Sequence, residues 1–277
     1  MQAHINGNEV FYTTHGQGRP MLLMHGGSGL DHTYFRPWLD TLSDQLQLIY
    51  YDQLGQGRST RPQSYEGISM DTWADEADAL RASLGHERII LLGHSFGGFI
   101  AQEYALRHGD HLDGLILCDT APVLDYQDVV MTNAQARGTA EQVQAVIAGL
   151  SAPVADDAAF RQLWVTILPL YFNTYDPKVA AALDNATHYS AGGFNQGMGV
   201  CLPAFNVLSR LHEITVPTLV MAGRHDWITP PAQAAERLHA GLPNSQLAIF
   251  EQSGHFPFIE EQDLFVKTVR DWISSLS

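Results

Sequence analysis

The stretch Leu91–Ile100, "LLGHSFGGFI", places one serine among glycines where an apolar run ends. The run itself, "RIILLGHS", is uniformly apolar, which is typical of a strand buried on both faces. A helix that carries Ile100 and Tyr104 is predicted to start at Ser95. The G-x-S-x-G pattern between a strand and a helix is typical of a strained turn that exposes a serine nucleophile. An ordinary capped helix start is the plainer alternative, but the flanking strand and helix favour the strained turn.

A serine nucleophile needs two partners, because its hydroxyl is weak at neutral pH without a neighbouring base and a group that orients that base. After such a turn, the partners follow in chain order as an acid and then a histidine. The segment "VMAGRHDWITP" supplies Asp226 after one predicted strand, and "IFEQSGHFPF" supplies His255 after the last. We therefore predict Ser95 as nucleophile, His255 as general base and Asp226 as the acid. Asp119, at the end of "LILCDT", also follows a strand and is the rival acid.

An oxyanion hole is the second requirement of acyl transfer, and backbone N–H groups are its usual donors. One predicted donor is the amide of Phe96, the residue after the nucleophile. The other is the amide of Gly27 in the Gly-rich loop "MHGGSG", which follows an early strand. A phosphate-binding loop is disfavoured for this stretch, because it lacks a third glycine in register and a following Lys-Ser/Thr pair.

Apolar strands alternate with helices along most of the chain. The predicted strands are "EVFYTTHG", "RPMLLMHGG", "LQLIYYD", "RIILLGHS", "LDGLILCDT", "PTLVMAG" and "SQLAIFE". Apolar residues at helical spacing predict helices after an N-cap at Ser69, from Ser95, over Pro231–Ala240 and at the end of the chain. Such alternation favours an α/β fold, with a mostly parallel sheet flanked by helices.

Residues 122–205 interrupt this alternation, since they contain helical patterns but no clear strand. We predict that they form a helical lid subdomain over the site, and that residues 1–121 and 206–277 form the core. A helical subdomain packed only for stability is the alternative.

The composition restricts the partners. The chain has 277 residues, of which 45% are hydrophobic and 16% charged, and its formal net charge is −15. Nucleic acid and anionic membranes are disfavoured as partners because both attract basic surfaces. No apolar run approaches the roughly 18 residues of a membrane span, and the first residues do not resemble a signal peptide. A cytoplasmic protein that acts on a small molecule is therefore expected.

Metal and cofactor motifs are missing from the sequence. Cys118 and Cys201 are not paired at metal-ligand spacing, and we expect two reduced thiols. None of the 13 histidines forms an H-E-x-x-H motif. We predict a site that holds no metal and no cofactor.

Five motifs together resemble the α/β-hydrolase superfamily: "HGGSG", "YDQLGQGRS", "GHSFGG", "GRHDWITP" and "SGHFPF". The first two are most similar to those of the proline iminopeptidase group and its esterase and lactonase relatives. The resemblance covers nearly the whole chain. It implies an eight-stranded sheet, a helical lid after the sixth strand, a Ser95–Asp226–His255 triad and no cofactor.

The predicted substrate follows from charge. Family iminopeptidases use acidic lid side chains to bind the substrate's free amine, but no carboxylate occurs in residues 188–205 here, where Asn195 and Gln196 offer neutral amides. A neutral acyl substrate is therefore favoured. The predicted acyl pocket contains five lid aromatics: Trp164, Tyr171, Phe172, Tyr189 and Phe194. Alternatively, these rings fill the interior of the lid itself.

The sequence is compatible with three functions. The first is a serine hydrolase that cleaves carboxylic esters, or N-acyl homoserine lactones, through an acyl-enzyme. The second is an aminopeptidase that releases N-terminal proline with the same triad. The third is a non-catalytic ligand sensor on the same fold, which the complete set of catalytic residues disfavours. The oligomeric state is left open.

Overall fold

The computed structural model describes residues 1–276 of the chain. Over this range the strands form one eight-stranded sheet, ordered β1-β2-β4-β3-β5-β6-β7-β8. The strands are β1 (Gln2–Ile5), β2 (Asn8–His15), β3 (Arg19–Met24), β4 (Leu46–Tyr51), β5 (Ile89–His94), β6 (Leu112–Cys118), β7 (Thr218–Gly223) and β8 (Ser245–Phe250). The pairs β1–β2 and β2–β4 are antiparallel, and the other neighbouring pairs are parallel. The predicted α/β-hydrolase architecture is confirmed.

Strand β1 is the element that the residue pattern did not predict, although the family resemblance implied an eighth strand. It pairs with β2 through a hairpin in which Ile5 lies opposite Asn8. The two turn residues, Asn6 and Gly7, both have positive φ angles, of 50° and 82°. An Asn-Gly pair in this conformation is the preferred two-residue connection between antiparallel strands.

Helices connect most of the strands. They are α1 (Met70–Ser83), α2 (Phe96–His108), α3 (Gln127–Arg137), α4 (Ala140–Ser151), α5 (Asp157–Ile167), α6 (Pro177–Ala186), α7 (Ala191–Gln196), α8 (Leu202–Ala204), α9 (Ala235–Gly241), α10 (Pro257–Glu260) and α11 (Gln262–Ser274). The predicted N-cap of α1 is present, since the Ser69 hydroxyl accepts the Thr72 N–H while Thr72 Oγ1 accepts the Ser69 N–H. Helix α9 begins at Ala235 and not at Pro231, because turns fill the residues between.

Helices α3–α8 lie between β6 and β7, in the segment of residues 122–205, hereafter the helical segment. Its two ends leave the sheet side by side. Val123 forms an isolated antiparallel bridge with Asn206, and the Val207 N–H donates to the Pro122 carbonyl over 3.0 Å. The two covalent connections between the segment and the sheet therefore lie side by side.

The largest fully buried side chains belong mainly to the sheet and to the helices that cover it, and include Trp73, Tyr50 and Tyr104. Because the central parallel strands β5, β6 and β7 are covered on both faces, they read as continuous apolar runs, whereas the edge strand β8 is only partly buried. Among the helices of residues 1–276, none combines the length and apolar character that a bilayer crossing requires.

Candidate active site

The predicted catalytic side chains all follow strands at one edge of the sheet. Ser95 follows β5, Asp226 lies three residues beyond β7, and His255 lies five residues beyond β8. Because these strands are parallel, their carboxyl ends meet at the same edge, where α/β sheets bind their ligands. The fold therefore brings together residues that are far apart in sequence.

The turn at Ser95 has the strained geometry that the sequence predicts. Ser95 has φ 52° and ψ −119°, and it directly precedes α2. A side chain at Gly93 would place its Cβ 2.5 Å from the Gly97 carbonyl oxygen, and one at Gly98 would place it 2.5 Å from Thr120 Cβ. Only glycine fits at these two positions. Backbone strain of this kind costs on the order of 1–3 kcal/mol per residue and is found at functional sites.

Asp226 and His255 form a buried pair. The His255 Nδ1 atom lies 2.7 Å from Asp226 Oδ2, and both side chains are buried. Asp226 also accepts hydrogen bonds from the Thr229 hydroxyl at 2.5 Å and from the Ile228 N–H at 3.0 Å. Burial raises the pKa of Asp226, but the nearby His255 and the donated hydrogen bonds outweigh it and hold the pKa below its usual value. Asp226 is therefore ionised and oriented toward the imidazole.

Ser95 and His255 line the same cavity. Within residues 1–276 the Ser95 hydroxyl has no hydrogen-bond partner, so it is free toward that cavity. A hydrogen bond between a nucleophile and its base is often long in a ligand-free site and shortens when substrate binds. The arrangement can deprotonate Ser95 once a substrate orders the two side chains.

The two predicted oxyanion donors also border this cavity. Gly27 and Phe96 are among its lining residues, and neither backbone N–H donates to another group in the described part of the chain. Phe96 is the first residue of α2, where N–H groups lack partners within the helix. The neighbouring Gly26 lies against the nucleophile, since a Cβ there would be 2.6 Å from Ser95 Cβ. Two free donors therefore border the cavity into which the Ser95 hydroxyl opens.

Asp119, the rival acid, lies directly behind this pair. Its carboxylate accepts the Gly223 N–H at 2.8 Å and the Cys118 thiol at 3.1 Å, and no hydrogen bond joins it to His255 within residues 1–276. Burial and the neighbouring Asp226 raise its pKa well above the usual range. A neutral carboxylic acid cannot stabilise an imidazolium as an anion does, so the geometry favours Asp226 as the partner of His255.

Potential metal ligands form three groups in residues 1–276: His94, Cys118 and Asp119; Asp119, Asp226 and His255; and Asp78, His108 and His111. Asp119, Asp226 and His255 have ligand atoms within 4.8 Å of one another, but the short contact among them is the His255–Asp226 hydrogen bond. On the surface, Asp78 and His111 each contact the Arg81 guanidinium, at 2.8 and 3.1 Å. A cation so close to both ligands opposes metal binding there.

The cavity has a floor that carries most of its polar groups and an apolar roof. The core contributes all of the polar side chains except those of Tyr171 and Thr187, namely Ser28, Tyr34, His94, Ser95, Thr229 and His255, together with the apolar Leu30, Phe96, Phe99, Trp227, Ile228 and Phe256. The helical segment contributes almost only apolar groups: Leu124, Val130, Ala145, Val146, Gly149, Leu150, Phe160, Leu163, Trp164, Ile167, Leu183, Phe194, Met198 and Leu202, together with Tyr171 and Thr187. No Asp, Glu, Lys or Arg of residues 1–276 is part of the lining.

Three of the five aromatics predicted to bind substrate line the cavity: Trp164, Tyr171 and Phe194. The other two do not. Phe172 packs against Phe256 with ring centroids 5.0 Å apart, and the Tyr189 hydroxyl donates to Asp184 over 2.9 Å. Phe172 therefore stabilises the contact between the helical segment and the core, and Tyr189 stabilises the segment itself.

The amides of Asn195 and Gln196 were expected near the substrate, but the structure places them elsewhere. Asn195 exchanges two hydrogen bonds with the backbone of Val154, and Gln196 donates to the Ile68 carbonyl over 2.5 Å. Both amides therefore join pieces of the protein and do not face the cavity. The acidic residues earlier in the helical segment are exposed, at Asp125, Asp128, Glu141, Asp156 and Asp157.

Sequence reasoning missed Tyr34 and Thr229. Tyr34 lies in the short helix His32–Phe35, just after the Gly-rich loop, and its side chain lines the cavity. Thr229 lies three residues after Asp226 and donates to its carboxylate. In the sequence, only their position could have indicated a role at the site, since both residues lie within a few positions of a motif.

The fold and this arrangement define a class of protein. The family model described as the alpha/beta hydrolase fold matches residues 19–262, and the chain belongs to that family.

Individual relatives add finer likenesses. The chain is 29% identical over 280 residues to the proline iminopeptidase PfmaB of Pestalotiopsis fici, with 96% of each chain covered. It is 26% identical to the proline iminopeptidase of Saccharolobus solfataricus, with 96% of this chain and 88% of the relative covered. Among solved structures, the enol-lactonase from Burkholderia xenovorans LB400 is similar with a TM-score of 0.78 and 25% identity, over 99% of this chain and 100% of that one.

Proposed function

We propose that this protein is a cytoplasmic serine hydrolase that cleaves neutral carboxylic esters, including lactones, with an apolar acyl group. The observation that carries the proposal is the cavity lining, which places an apolar roof without any charged side chain over the Ser95 hydroxyl. We further propose that the helical segment, residues 122–205, acts as the lid that selects the acyl group.

The proposed reaction uses the residues at the floor of the cavity. His255 takes the proton of the Ser95 hydroxyl as Oγ attacks the ester carbonyl carbon, and Asp226 stabilises the imidazolium that forms. The carbonyl oxygen becomes an oxyanion, for which the N–H groups of Gly27 and Phe96 are the donors. The carbon–oxygen bond to the alcohol then breaks, and His255 returns the proton to that alcohol. Water attacks the acyl-enzyme by the same steps and releases the acid.

The charge of the site supports an ester over a peptide. An aminopeptidase substrate carries a protonated amine next to the scissile bond, and burying that cation without a partner is costly. The lining offers no carboxylate for it within the described residues. The acids of the helical segment are exposed, apart from the half-buried Asp184, which is paired with Arg161 at 2.6 Å. An apolar acyl group, by contrast, gains about 25 cal/mol for each Å² that leaves water.

The second candidate is a proline iminopeptidase, because curated relatives with that name match the chain at 26–29% identity over nearly its whole length. In that case an acid of the helical segment must reach the cavity when substrate binds. Asp157 and Asp125 are both held to the core, since they pair with Arg61 and Arg237 at 2.6 Å, and those pairings already occupy their carboxylates.

A substrate panel separates the candidates. Purified protein is assayed with p-nitrophenyl acetate, butyrate and octanoate, proline p-nitroanilide, alanine p-nitroanilide and N-acyl homoserine lactones. We expect kcat/KM for the best ester to exceed that for proline p-nitroanilide by at least about tenfold, or about 1.4 kcal/mol in transition-state binding. Faster release of proline than of any ester's p-nitrophenol would establish the iminopeptidase instead.

A further inference from the structure

A chain of buried hydrogen bonds connects the two halves of the candidate site. The Gly26 N–H donates to the Tyr34 hydroxyl oxygen over 2.6 Å, and that hydroxyl lies 2.7 Å from His94 Nδ1. On the other side of the ring, His94 Nε2 lies 2.8 Å from the His255 carbonyl oxygen. The Tyr34, His94 and His255 side chains are each at most 5% exposed. The chain thus runs from the loop with the Gly27 donor to the backbone of the general base.

The protons in this chain have one consistent arrangement. The His255 carbonyl can only accept, so His94 Nε2 must carry a proton. A neutral imidazole then has a bare Nδ1 that accepts, and the Tyr34 hydroxyl supplies the proton. The reverse arrangement would place the Nε2 lone pair against the carbonyl lone pairs at 2.8 Å and leave the Tyr34 proton without an acceptor.

Burial supports this neutral form of the ring. Burial and the nearby His255 lower the pKa of His94 well below its usual value, and burial raises the pKa of Tyr34 well above its own. Neither group therefore changes charge near neutral pH. The chain is a fixed support and not a path for proton release.

We infer that Tyr34 is a positioning residue that fixes the Nε2–H tautomer of His94. It thereby holds the Gly-rich loop with the Gly27 donor and the His255 backbone in their positions around Ser95. The inference rests on the proposed function for its kinetic consequence, but its structural part stands without it. In this role the Tyr34 side chain does not contact the reacting atoms. It acts through Gly26, which precedes the Gly27 donor, and through His94, which precedes the nucleophile.

The support on the His255 backbone comes from both sides. Its carbonyl accepts from His94, and its N–H donates to the Tyr171 carbonyl over 2.7 Å. The second bond reaches into the helical segment, so the first is the link between the base and the serine turn. Loss of the Tyr34 hydroxyl leaves His94 Nδ1 and the Gly26 N–H without partners, and unpaired buried polar groups favour rearrangement.

The kinetic test compares Tyr34→Phe with Tyr51→Phe. Tyr51 is an ideal control because its ring is also fully buried in the core, but its hydroxyl has no hydrogen-bond partner in residues 1–276. With the best ester of the panel, we expect Tyr34→Phe to lower kcat about 10- to 100-fold with less than a threefold change in KM, because misplaced donors act on the transition state. Binding of an alkyl boronic acid, which mimics the tetrahedral state, should weaken by a similar factor. Tyr51→Phe should change neither value by more than about twofold.

The tautomer is measured on the unmodified chain by ¹⁵N NMR of labelled histidines. The His94 signals are identified by their loss in His94→Gln, which retains a terminal amide donor toward His255. We expect a neutral His94 with a protonated Nε2 from pH 6 to 9. A protonated Nδ1, or an imidazolium at pH 7, would overturn the inference even if no ester were a substrate. Equal kcat losses in Tyr34→Phe and Tyr51→Phe would overturn its kinetic part, and activity on proline p-nitroanilide alone would refute the ester proposal and leave this inference standing.

Discussion

The floor and the roof of the cavity both carry apolar side chains, but they differ in their polar groups, nearly all of which belong to the floor. The floor is made of loops at the carboxyl ends of β3, β5, β7 and β8, and it supplies the hydroxyl, imidazole and free N–H groups. The roof is made of helices from one inserted segment, and it supplies apolar side chains. Under the proposed function, this difference assigns bond cleavage to the floor and the choice of acyl group mainly to the roof. Substitutions in the floor should therefore change the rate for all substrates, and those in the roof should change the ranking of substrates.

The largest expected effect is at the floor. Ser95→Ala should lower kcat by about 10⁴- to 10⁶-fold for every ester, because it removes the nucleophile and leaves only the donors and the binding site. An organophosphonate should add one covalent mass to the unmodified chain and none to the variant. Circular dichroism and thermal unfolding check that the variant is folded. Substantial ester turnover by folded Ser95→Ala would exclude Ser95 as the nucleophile.

The second effect distinguishes the roles of two buried acids, Asp226 and Asp119, which follow the neighbouring strands β7 and β6. Asp226→Asn should lower kcat by about 10⁴-fold, because an amide neither stabilises the imidazolium nor holds its tautomer. Asp119→Asn is the matched control, since the same atom change occurs in an equally buried carboxyl that is not bonded to His255. It should lower kcat less than about tenfold. The opposite ranking of the two variants would assign the catalytic acid to Asp119.

The third effect concerns the free energy of unfolding and a buried residue of the core. Glu76 in α1 is buried, accepts the Leu54 N–H over 2.9 Å, and has its pKa raised by burial from 4.5 to about 8. Protonated Glu76 therefore stabilises the fold. This contribution is complete below about pH 4.5, and it is lost as the pH rises toward and through 8. Because a single group ionises, the free energy of unfolding falls by at most about 1.4 kcal/mol per pH unit.

Glu76→Gln is the variant that isolates this contribution, because glutamine can accept the same N–H but does not ionise. Urea unfolding of both proteins at pH 5, 6, 7 and 8 measures it. The unmodified chain should lose stability relative to the variant as pH rises over this range. A constant difference between the two proteins would show that Glu76 ionises at its ordinary pKa.

The smallest expected effect is at the roof. Trp164→Leu should enlarge the acyl part of the cavity and raise kcat/KM for octanoate relative to butyrate by about 3- to 10-fold, as one or two methylene contacts change. Phe172→Leu is the control, since it shortens a buried aromatic of the same segment that lies outside the cavity lining. Its ratio of octanoate to butyrate should equal that of the unmodified chain. A shift of the ratio in both variants would mean that the segment responds as a whole, and not through its lining.

The sequence alone was enough to expect Ser95, Asp226 and His255 at one edge of the sheet, for a physical reason, but not Tyr34 and Thr229 of the same floor. Residues such as Ser95 and His255 follow apolar strands, and parallel strands place their carboxyl ends at one edge whatever the details of packing. The predicted order of acid and histidine was therefore enough to bring these groups together. The glycines at 93 and 98 also mark a turn with no room for side chains, which is visible from residue type alone.

The roof could not be predicted with the same accuracy. Trp164 and Phe172 are both aromatic and both in the helical segment, but only the first faces the cavity. The direction of each ring depends on how the helices rotate against one another, and amphipathic spacing does not fix that rotation when several faces are buried. The same reason applies to Gln196, whose amide turns to the Ile68 carbonyl. Tyr34 was missed because its partners, Gly26 and His94, are identified only by contact.

The bridge between Val123 and Asn206 has a consequence for how such proteins diversify. Because the chain leaves and re-enters the sheet at adjacent positions, the length and composition of what lies between can change without moving any strand. These two residues are therefore the junctions at which one helical segment can be exchanged for another, provided that the new segment supplies the carbonyl with which Tyr171 accepts the His255 N–H. Chimaeras joined there should inherit the acyl preference of the donor segment while keeping the turnover chemistry of the recipient.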